Sequence, residues 1–396
     1  MFSLLKKTRQ SNHLNYLINK HLKKQLIKKK IFGKIIQMFL KIQTYFQLFH
    51  FKRTITVKND ELILFIVPST NKVSGGILSI FSIFKETRKL NNSLKQSILI
   101  TKLPYYIGKE PFRSKITAFD NNIYLYNFSV VHIKFKKLKS IILHIPELHI
   151  PTFIEIHNSL WSKRELNWWY SIPNRHINIL NQNILLMPER DKIEKLKKLC
   201  THLTQTTAHD KYANSYYREF YNIPLHHLSV FINRPNFNSL NFNQKSNLIM
   251  ISPDENEHKS EIVNLLKKKF NEFKFIEING IRYNDYLEIA KFCKISITFG
   301  EGLDGYFFEP TIAGGIGFAV YNKDFFMPEY KKLPNVFETY EDMRINICQS
   351  IQDILSNENA YNQLNIRNRK ILDSYYSHEG FLENLKKFYN GEYTYP

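Results

Sequence analysis

Two glutamates separated by seven residues mark the stretch ITFGEGLDGYFFEPTIAGGIGFAV, residues 297–320. An apolar, strand-like entry leads to Glu301, and Glu309 follows at the start of a predicted helix that opens at Gly305 or Tyr306. The free N–H groups and the dipole of a helix start attract anions, so a diphosphate fits here. One carboxylate would then bind sugar hydroxyls and the other ribose hydroxyls. The alternative is a solvated helix start with two exposed acids.

A glycine loop precedes the first predicted helix of the body of the chain, in the letters VSGG at residues 73–76. Gly75 and Gly76 would let the backbone come close to a ligand, because neither residue carries a side chain. A tight turn between a strand and a helix explains the same letters equally well.

A histidine and a glutamate end another predicted strand, in the letters LHIPELHIP at residues 143–151. At the carboxyl end of a strand, His144 and Glu147 are positioned to orient an acceptor hydroxyl or to stabilise developing charge. Two prolines prevent the regular helix that an H-E-x-x-H zinc site requires, so we do not expect a metal there. A turn with hydrogen-bonded histidines is the alternative interpretation.

The letters EGLDGYFFEPTIAGGIG resemble the signature of retaining glycosyltransferases of the GT-B fold, which reads roughly E-G-F-G-L-x-x-x-E-A-x-A-x-G-x-P-V. Glu301, Gly302, Glu309 and Gly314 coincide with that signature. The resemblance implies that Glu301 contacts the donor sugar and that Glu309 contacts the nucleotide ribose. The candidate catalytic residues are Glu301, His144 and Glu147. The donor-binding residues expected on this resemblance are Gly75, Gly76, Ser252, Lys259, Gly302, Leu303, Asp304, Gly305 and Glu309.

The chain also departs from the family pattern. The family usually has an arginine and a lysine after the first strand of the second domain. In this chain Lys259 can take the role of the lysine. Asp254 stands where the arginine is expected. Asp304 and Gly305 replace the usual glycine–leucine pair. No D-x-D sequence occurs, although metal-dependent single-sheet glycosyltransferases normally hold a divalent ion with such a pair. We therefore expect neither a metal nor a cofactor.

Composition and charge restrict the class of protein. The 396 residues allow two domains, and a hydrophobic content of 43% describes a folded, globular chain. The formal net charge is +21, and residues 1–59 hold 14 Lys or Arg with no Asp or Glu. Three cysteines without a paired spacing indicate a reducing, cytoplasmic setting. The letters contain no apolar run of about 18 residues and no signal-peptide pattern.

Strand-like and helical patterns alternate along the chain, which is typical of βα units with parallel sheets. We expect an α/β fold of two Rossmann-like βαβ domains facing a cleft (GT-B), with a basic helical N-terminal extension. The predicted divisions are an extension at 1–60, an acceptor domain at 61–232, a donor domain at 233–378, and a C-terminal helix and tail at 379–396 that return to the first domain. The predicted strands are 62–68, 97–101, 122–128, 140–146, 177–181, 203–207, 248–252, 273–278 and 295–299, and one predicted helix is 151–170.

Three interpretations of the basic extension compete. Its lysines and apolar stripe would suit an anionic membrane surface, with each nearby Lys or Arg worth about 1 kcal/mol. The same charges would give salt-dependent binding to nucleic acid. In the third interpretation the stripe packs on the protein and the lysines are solvated. Membrane association at residues 1–59 is favoured, because a sugar-transfer site would often act on a lipid-linked acceptor.

The expected function is that of a cytoplasmic glycosyltransferase, peripheral on the inner face of the cell membrane. It would move a sugar from a nucleotide-sugar donor to a saccharide or lipid-linked acceptor, in bacterial capsule, O-antigen or lipopolysaccharide synthesis, without a metal and with retention. One alternative is a sugar-nucleotide epimerase of the same fold. The other is a nucleic-acid-binding protein, which the confinement of positive charge to the extension disfavours.

Overall fold

Parallel strands form two separate sheets. The structure, a computed structural model, describes residues 42–51, 60–68, 74–94, 97–102, 115–119, 122–229 and 239–396. The first sheet contains β1 Glu61–Val67, β2 Ser97–Lys102, β3 Ser140–Pro146, β4 Asn174–Asn181, β5 His202–Thr207 and β6 Leu225–His227, in the order β2-β1-β3-β4-β5-β6. The second contains β7 Ser246–Ile251, β8 Lys274–Glu277, β9 Cys293–Ile297, β10 Ile316–Val320 and β11 Val336–Phe337, in the order β11-β10-β9-β7-β8. The predicted α/β fold with two Rossmann-like domains is confirmed.

Helices connect the strands and cover both faces of the sheets. Helix α1 comprises residues 42–51. In the first domain it is followed by α2 Gly75–Leu94, α3 Phe128–Lys134, α4 Ile150–Ser159, α5 Lys163–Ser171, α6 Arg190–Lys197 and α7 Ser215–Tyr221. The second domain contains α8 Lys259–Lys269, α9 Tyr283–Phe292, α10 Gly305–Ile312, α11 Tyr340–Leu355 and α12 Glu358–Tyr375, and α13 His378–Tyr389 ends the chain's helical part.

The core explains why β1 reads as a continuous apolar run. Successive side chains of a strand point to opposite faces of its sheet. Leu62 and Leu64 accordingly pack into one core cluster, whereas Ile63 and Phe65 pack into another. All four side chains are buried, as expected of a parallel strand covered by helices on both faces.

Three local predictions need correction. Residues 122–128 form no strand: Tyr126 makes an isolated bridge to Thr101, and α3 begins at Phe128. The helix predicted at 151–170 is two helices, α4 and α5, because Ser162 and Glu165 form a capping box that starts a new helix. Strand β10 was not predicted, because Gly314 and Gly315, which directly precede it, favoured a turn.

Each sheet has one point at which the strand order reverses. In the first sheet β2 and β3 lie on opposite sides of β1, so the reversal falls between β1 and β3. In the second sheet β8 and β9 lie on opposite sides of β7, so it falls between β7 and β9. Ligands of open α/β sheets bind beside the carboxyl ends of the strands at such points. A ligand is therefore expected beside the residues that follow β1, β3, β7 and β9.

The two ends of the described chain pack on the first domain. In α1, Gln47 Nε2 donates to Leu125 O and Gln47 Oε1 accepts from Asn127 N. At the other end, Leu225 and Tyr395 pair in an antiparallel bridge. The described residues do not include the predicted domain boundary between residues 232 and 233. They also do not include residues 1–41 and 52–59 of the basic extension. The predicted domain divisions therefore stay predictions.

Within the described ranges, no helix has both the length and the apolar character that crossing a bilayer requires.

Candidate functional site

One residue connects the reversal points of the two sheets by hydrogen bonds. Glu147 directly follows β3 of the first sheet, and Glu301 stands shortly after β9 of the second. Asn183, just past β4, lies between them. Its backbone N–H donates to Glu147 Oε1 at 3.2 Å, and its Nδ2 donates to Glu301 Oε1 at 3.1 Å. These contacts, called the interdomain bridge below, join carboxylates of the two domains in one hydrogen-bonded chain.

Glu147 is buried, and half of its carboxylate is unused. Oε1 accepts the Asn183 N–H, whereas Oε2 finds no hydrogen-bond partner among the described residues. Burial raises the pKa of Glu147 to about 7, although backbone N–H groups oppose the shift. A buried carboxyl group that titrates near neutral pH suits hydrogen bonding to, or proton exchange with, a hydroxyl group.

A glycine brings α2 against the same edge of the first sheet. A Cβ atom on Gly76 would stand 2.7 Å from Gln182 Oε1, so the close approach of the two segments requires a glycine or a displaced glutamine. Gly75, the first residue of α2, is exposed and has open space around it.

In the described part of the chain, Gln182 Nε2 and both amide atoms of Asn181 lack hydrogen-bond partners. Such groups are costly to bury alone, which favours a polar ligand or water beside them.

The loop between β9 and α10 has the form that the sequence predicts. Helix α10 begins at Gly305, and Asp304 is its N-cap. Gly302 has φ +88°, and a Cβ there would meet the Phe326 ring at 2.6 Å, so only glycine fits. Leu303 is buried in an apolar cluster and faces away from solvent. Of this loop, Glu301 is the side chain that extends toward the first domain.

The carboxylate of Asp304 caps the start of α10. Asp304 Oδ1 accepts from the backbone N–H groups of Tyr306 at 2.9 Å and Phe307 at 3.3 Å, and Thr298 Oγ1 donates to Oδ2 at 2.7 Å. The N–H groups expected to hold a diphosphate are thus satisfied by Asp304 in this conformation. Burial, followed by the nearby charges of Asp254 and Glu301, raises the pKa of Asp304 to about 7.

Asp254 adds a further negative charge beside the loop. A Cβ on Gly300 would stand 2.8 Å from Asp254 Cγ, so the aspartate lies directly against the loop backbone. Its Oδ2 is buried without a partner among the described residues. Loss of water around the carboxylate, and then the charge of Asp254, raise the pKa of Glu301. An anionic ligand in this place would therefore favour the protonated forms of these acids.

The ammonium group of Lys259 donates all its hydrogen bonds to acceptors within the protein. Its Nζ donates to Ser252 O at 2.9 Å, to Asp254 O at 3.1 Å and to Glu277 Oε1 at 2.7 Å. These three acceptors use the three donors of an ammonium group. Ser252 is also fully buried, and its Oγ accepts from Phe299 N. In this conformation both residues fix the loop after β7, and neither reaches toward a phosphate.

Glu309 lies inside the second domain. Tyr286 OH donates to its Oε2 at 3.0 Å, and Tyr283 OH to its Oε1 at 3.5 Å. Its exposed fraction is 2%, and burial raises its pKa to about 8. A ribose would have to displace these tyrosine hydroxyls to reach it.

His144 belongs to an internal polar network. Its Nδ1 pairs with Asn178 Nδ2 at 3.1 Å and its Nε2 with Tyr389 OH at 3.1 Å, and its ring stacks on Phe65 at 4.4 Å. Burial, aided by the neighbouring His176, lowers its pKa to about 3. Both ring nitrogens are occupied, so this geometry matches the alternative of a hydrogen-bonded histidine, separate from the interdomain bridge.

A second contact joins the domains at the same side of the sheets. Lys211 Nζ donates to Asp324 Oδ1 at 2.6 Å and to Lys323 O at 3.0 Å. Both charged side chains are partly exposed, so the pair contributes at most about 1 kcal/mol. Among the described residues, no group of three or more His, Cys, Asp or Glu side chains is arranged to hold a metal ion.

Sequence reasoning did not single out Asn183. The polar letters NQN at residues 181–183, at the end of the strand predicted over 177–181, were the available signal. Polar residues at the carboxyl end of a parallel strand often face a ligand.

Comparisons with known proteins find a distant likeness only. No family model and no curated protein matches the chain. Among solved structures, it is similar to Anabaena HepE in complex with UDP-glucose, at 8% identity over 83% of this chain and 99% of that chain, with a TM-score of 0.48. A UDP-GlcNAc 2-epimerase from Neisseria meningitidis bound to UDP-GlcNAc has 13% identity over 84% and 98%, with a TM-score of 0.47. The glycosyltransferase of kitacinnamycin has 9% identity over 83% and 98%, with a TM-score of 0.45. Such distant similarity assigns no role to any residue of this chain.

Proposed function

We propose that the protein is a glycosyltransferase that moves a sugar from a nucleotide-sugar donor to a saccharide or lipid-linked saccharide. The observation that carries this proposal is the interdomain bridge from Glu147 through Asn183 to Glu301. It holds two acids of opposite domains at the reversal points of their sheets, where α/β proteins bind ligands. A donor on the Glu301 side and an acceptor on the Glu147 side would meet between them.

The transfer step requires little covalent chemistry from the protein. The acceptor oxygen bonds to the anomeric carbon while the bond from that carbon to the diphosphate oxygen breaks. In the retaining step that the resemblance to GT-B glycosyltransferases implies, the acceptor proton passes to the departing diphosphate oxygen on the same face of the sugar. Glu301 would hold the sugar hydroxyls, and Glu147 would orient the acceptor hydroxyl through its unused Oε2.

A nucleotide-sugar donor carries a negatively charged diphosphate. Asp254, Glu301 and Asp304 lie close together in this site and, when ionised, would repel it. Protonation of acids whose pKa values are already raised would reduce repulsion of a diphosphate. The proposal therefore couples donor binding to proton uptake by the protein.

A sugar-nucleotide epimerase is the second candidate. It is favoured by the presence of two carboxyl groups with raised pKa values, Glu147 and Glu301, on opposite sides of the bridge. Such a pair could remove a proton from one face of a sugar and return it to the other. The epimerase needs no acceptor, whereas the transferase does.

A panel of nucleotides and nucleotide sugars tests both candidates. The chain is heated with UDP, GDP, dTDP and CMP compounds, and its melting temperature is compared with that of the free protein. We expect at least one family of compounds to raise it. If none does, both enzymatic proposals fail. Conversion of the stabilising sugar nucleotide without any acceptor would support the epimerase, whereas release of nucleoside diphosphate that depends on acceptor would support the transferase.

A further inference from the structure

Helix α1 presents four large apolar side chains on one face. Ile42, Tyr45, Phe46 and Phe49 follow the spacing that places residues on the same side of a helix. Tyr45 is 73% exposed and Phe46 is 67% exposed, and the other two are exposed as well. These four residues are called the aromatic face below. A contiguous exposed apolar face of this kind marks an interaction surface more often than a chance arrangement.

The opposite side of α1 is fixed to the first domain. Thr44 Oγ1 lies 2.9 Å from Ser129 Oγ, and Gln47 is fully buried with its amide bonded to backbone groups. Phe51 belongs to the core of the first domain. Because these contacts fix the helix, the aromatic face is held outward by a rigid support.

A lysine-rich turn adjoins the end of α1. Residues 134–139 read KFKKLK; Lys134 is the last residue of helix α3, and the other five follow it. Lys134 Nζ lies 5.7 Å from the Phe51 ring centroid, and the Phe135 ring lies 5.9 Å from the same centroid. Lys136 and Lys137 are exposed. This segment, called the basic turn below, brings positive charge from another element to the C-terminal end of α1, where Phe51 packs into the domain on the side away from the aromatic face.

We propose that the aromatic face and the basic turn together dock the folded protein on an anionic lipid bilayer. Tyrosine and phenylalanine side chains insert at the boundary between headgroups and acyl chains, and lysines bind the anionic headgroups. The sequence adds charge of the same sign, since residues 1–59 carry 14 Lys or Arg and no acid. The proposal does not depend on the transfer chemistry, because none of these residues belongs to the interdomain bridge.

The positive charge near the aromatic face also distinguishes a bilayer from other binding partners of this surface. A symmetric contact between two copies through this surface would bring two basic turns into one interface, placing like charges together. Nucleic acid would match the charge, but its recognition by aromatic side chains uses stacking platforms within a positively charged groove. An exposed helix face with an aliphatic residue among its aromatics suits a planar lipid surface better.

Sedimentation with lipid vesicles tests the proposal on the full chain. One vesicle population contains one part phosphatidylglycerol to three parts phosphatidylcholine, and the other contains phosphatidylcholine alone. We expect binding to the anionic vesicles to exceed binding to the neutral ones. The double variant Tyr45→Ser/Phe46→Ser should bind the anionic vesicles at least about tenfold more weakly. Lys136→Gln/Lys137→Gln should bind them about fivefold more weakly for each lysine removed.

Matched variants control for the loss of apolar surface and of charge elsewhere. Ile345 and Ile366 are exposed on α11 and α12, so Ile345→Ser/Ile366→Ser should leave vesicle binding unchanged. Lys267 and Lys268 are exposed at the end of α8, and Lys267→Gln/Lys268→Gln should likewise have little effect. All variants are at exposed positions, so circular dichroism and the melting temperature should match those of the unaltered chain.

Three outcomes would overturn the proposal. They are equal recovery with neutral and anionic vesicles, unchanged binding by Tyr45→Ser/Phe46→Ser, and a dimer in solution that this variant abolishes. None of these outcomes affects the nucleotide-sugar panel. Failure of this proposal and failure of the proposed function are therefore distinguishable.

Discussion

Asn183 of the first domain donates a 3.1 Å hydrogen bond from its Nδ2 to Oε1 of Glu301 in the second domain. The backbone N–H of the same residue donates to Glu147 Oε1. Asn183 thus connects Glu147 of the first domain to Glu301 of the second, through its backbone and its side chain respectively. Hydrogen bonds to charged groups are worth about 1.5–3 kcal/mol, enough to bias the orientation of a carboxylate in a site.

Replacing Asn183 by alanine should lower turnover with little loss of stability. The Asn183→Ala backbone still donates to Glu147, whereas Glu301 loses its amide partner. We expect kcat to fall about tenfold, in line with the strength of a hydrogen bond to a carboxylate. Asn346→Ala is the matched control, because Asn346 donates a 2.7 Å hydrogen bond to Asp342 on an exposed helix. Equal turnover by both variants would show that the bridge does not position Glu301.

Removing the charge of Asp254 should strengthen donor binding. After burial, the charge of Asp254 contributes to the raised pKa values of Glu301 and Asp304, so its carboxylate repels further negative charge in this place. Asp254→Asn keeps the shape of the side chain and removes that repulsion. The Kd of a nucleotide sugar, measured by calorimetry, should decrease severalfold. A weaker complex would mean that Asp254 binds the donor directly.

Donor affinity should decline as pH rises through neutrality. The pKa of Asp304 is about 7, so this carboxyl group is protonated below that value and charged above it. The charged form repels a diphosphate, so the protein binds the anion more tightly when protonated. A nucleotide sugar has no titrating phosphate in this range, and its Kd should increase from about pH 6 to about pH 8. An affinity that is flat across this range would contradict the proposed coupling to protonation.

Glu309 should make the folded protein less stable at alkaline pH. Its pKa is raised from 4.5 to about 8, so between these values the folded state keeps a proton that the unfolded state has released. The free energy of unfolding therefore falls as pH rises through this window, by up to about 1.4 kcal/mol per pH unit.

Denaturant unfolding at several pH values, with Glu309→Gln beside the unaltered chain, checks this prediction. The variant cannot ionise, so its stability relative to the unaltered chain should increase as pH rises through the window. Glu288→Gln, at an exposed position of α9, should show no such trend. A constant difference between Glu309→Gln and the unaltered chain would mean that Glu309 is charged in the folded protein.

The fold follows from patterns that are local in sequence. Continuous apolar runs such as that of β1 can be satisfied only by strands buried on both faces, and their alternation with helices requires parallel sheets. The start of α10 is equally local, because Asp304 caps N–H groups only two and three residues away. Glu301 could thus be assigned to a loop at the carboxyl end of a strand.

The partners of the site residues depend on contacts between distant segments, which local patterns do not encode. Asn183 and Glu301 are 118 positions apart, and His144 meets Tyr389 across 245 positions. Lys259 looks like a phosphate ligand in sequence, but Glu277 and two backbone carbonyls bind its ammonium group. Strand β10 was missed because glycines that suggest a turn lie within and beside it.

The most direct test of the proposed function is release of nucleoside diphosphate from the donor that stabilises the protein most. Water can replace the acceptor, so slow hydrolysis to free sugar provides a readout before the acceptor is known. The unaltered chain and Glu288→Gln should release nucleoside diphosphate at equal rates, and Glu301→Gln should be slower by about a hundredfold. Release by folded Glu301→Gln at the rate of the unaltered chain would contradict the assignment of the site.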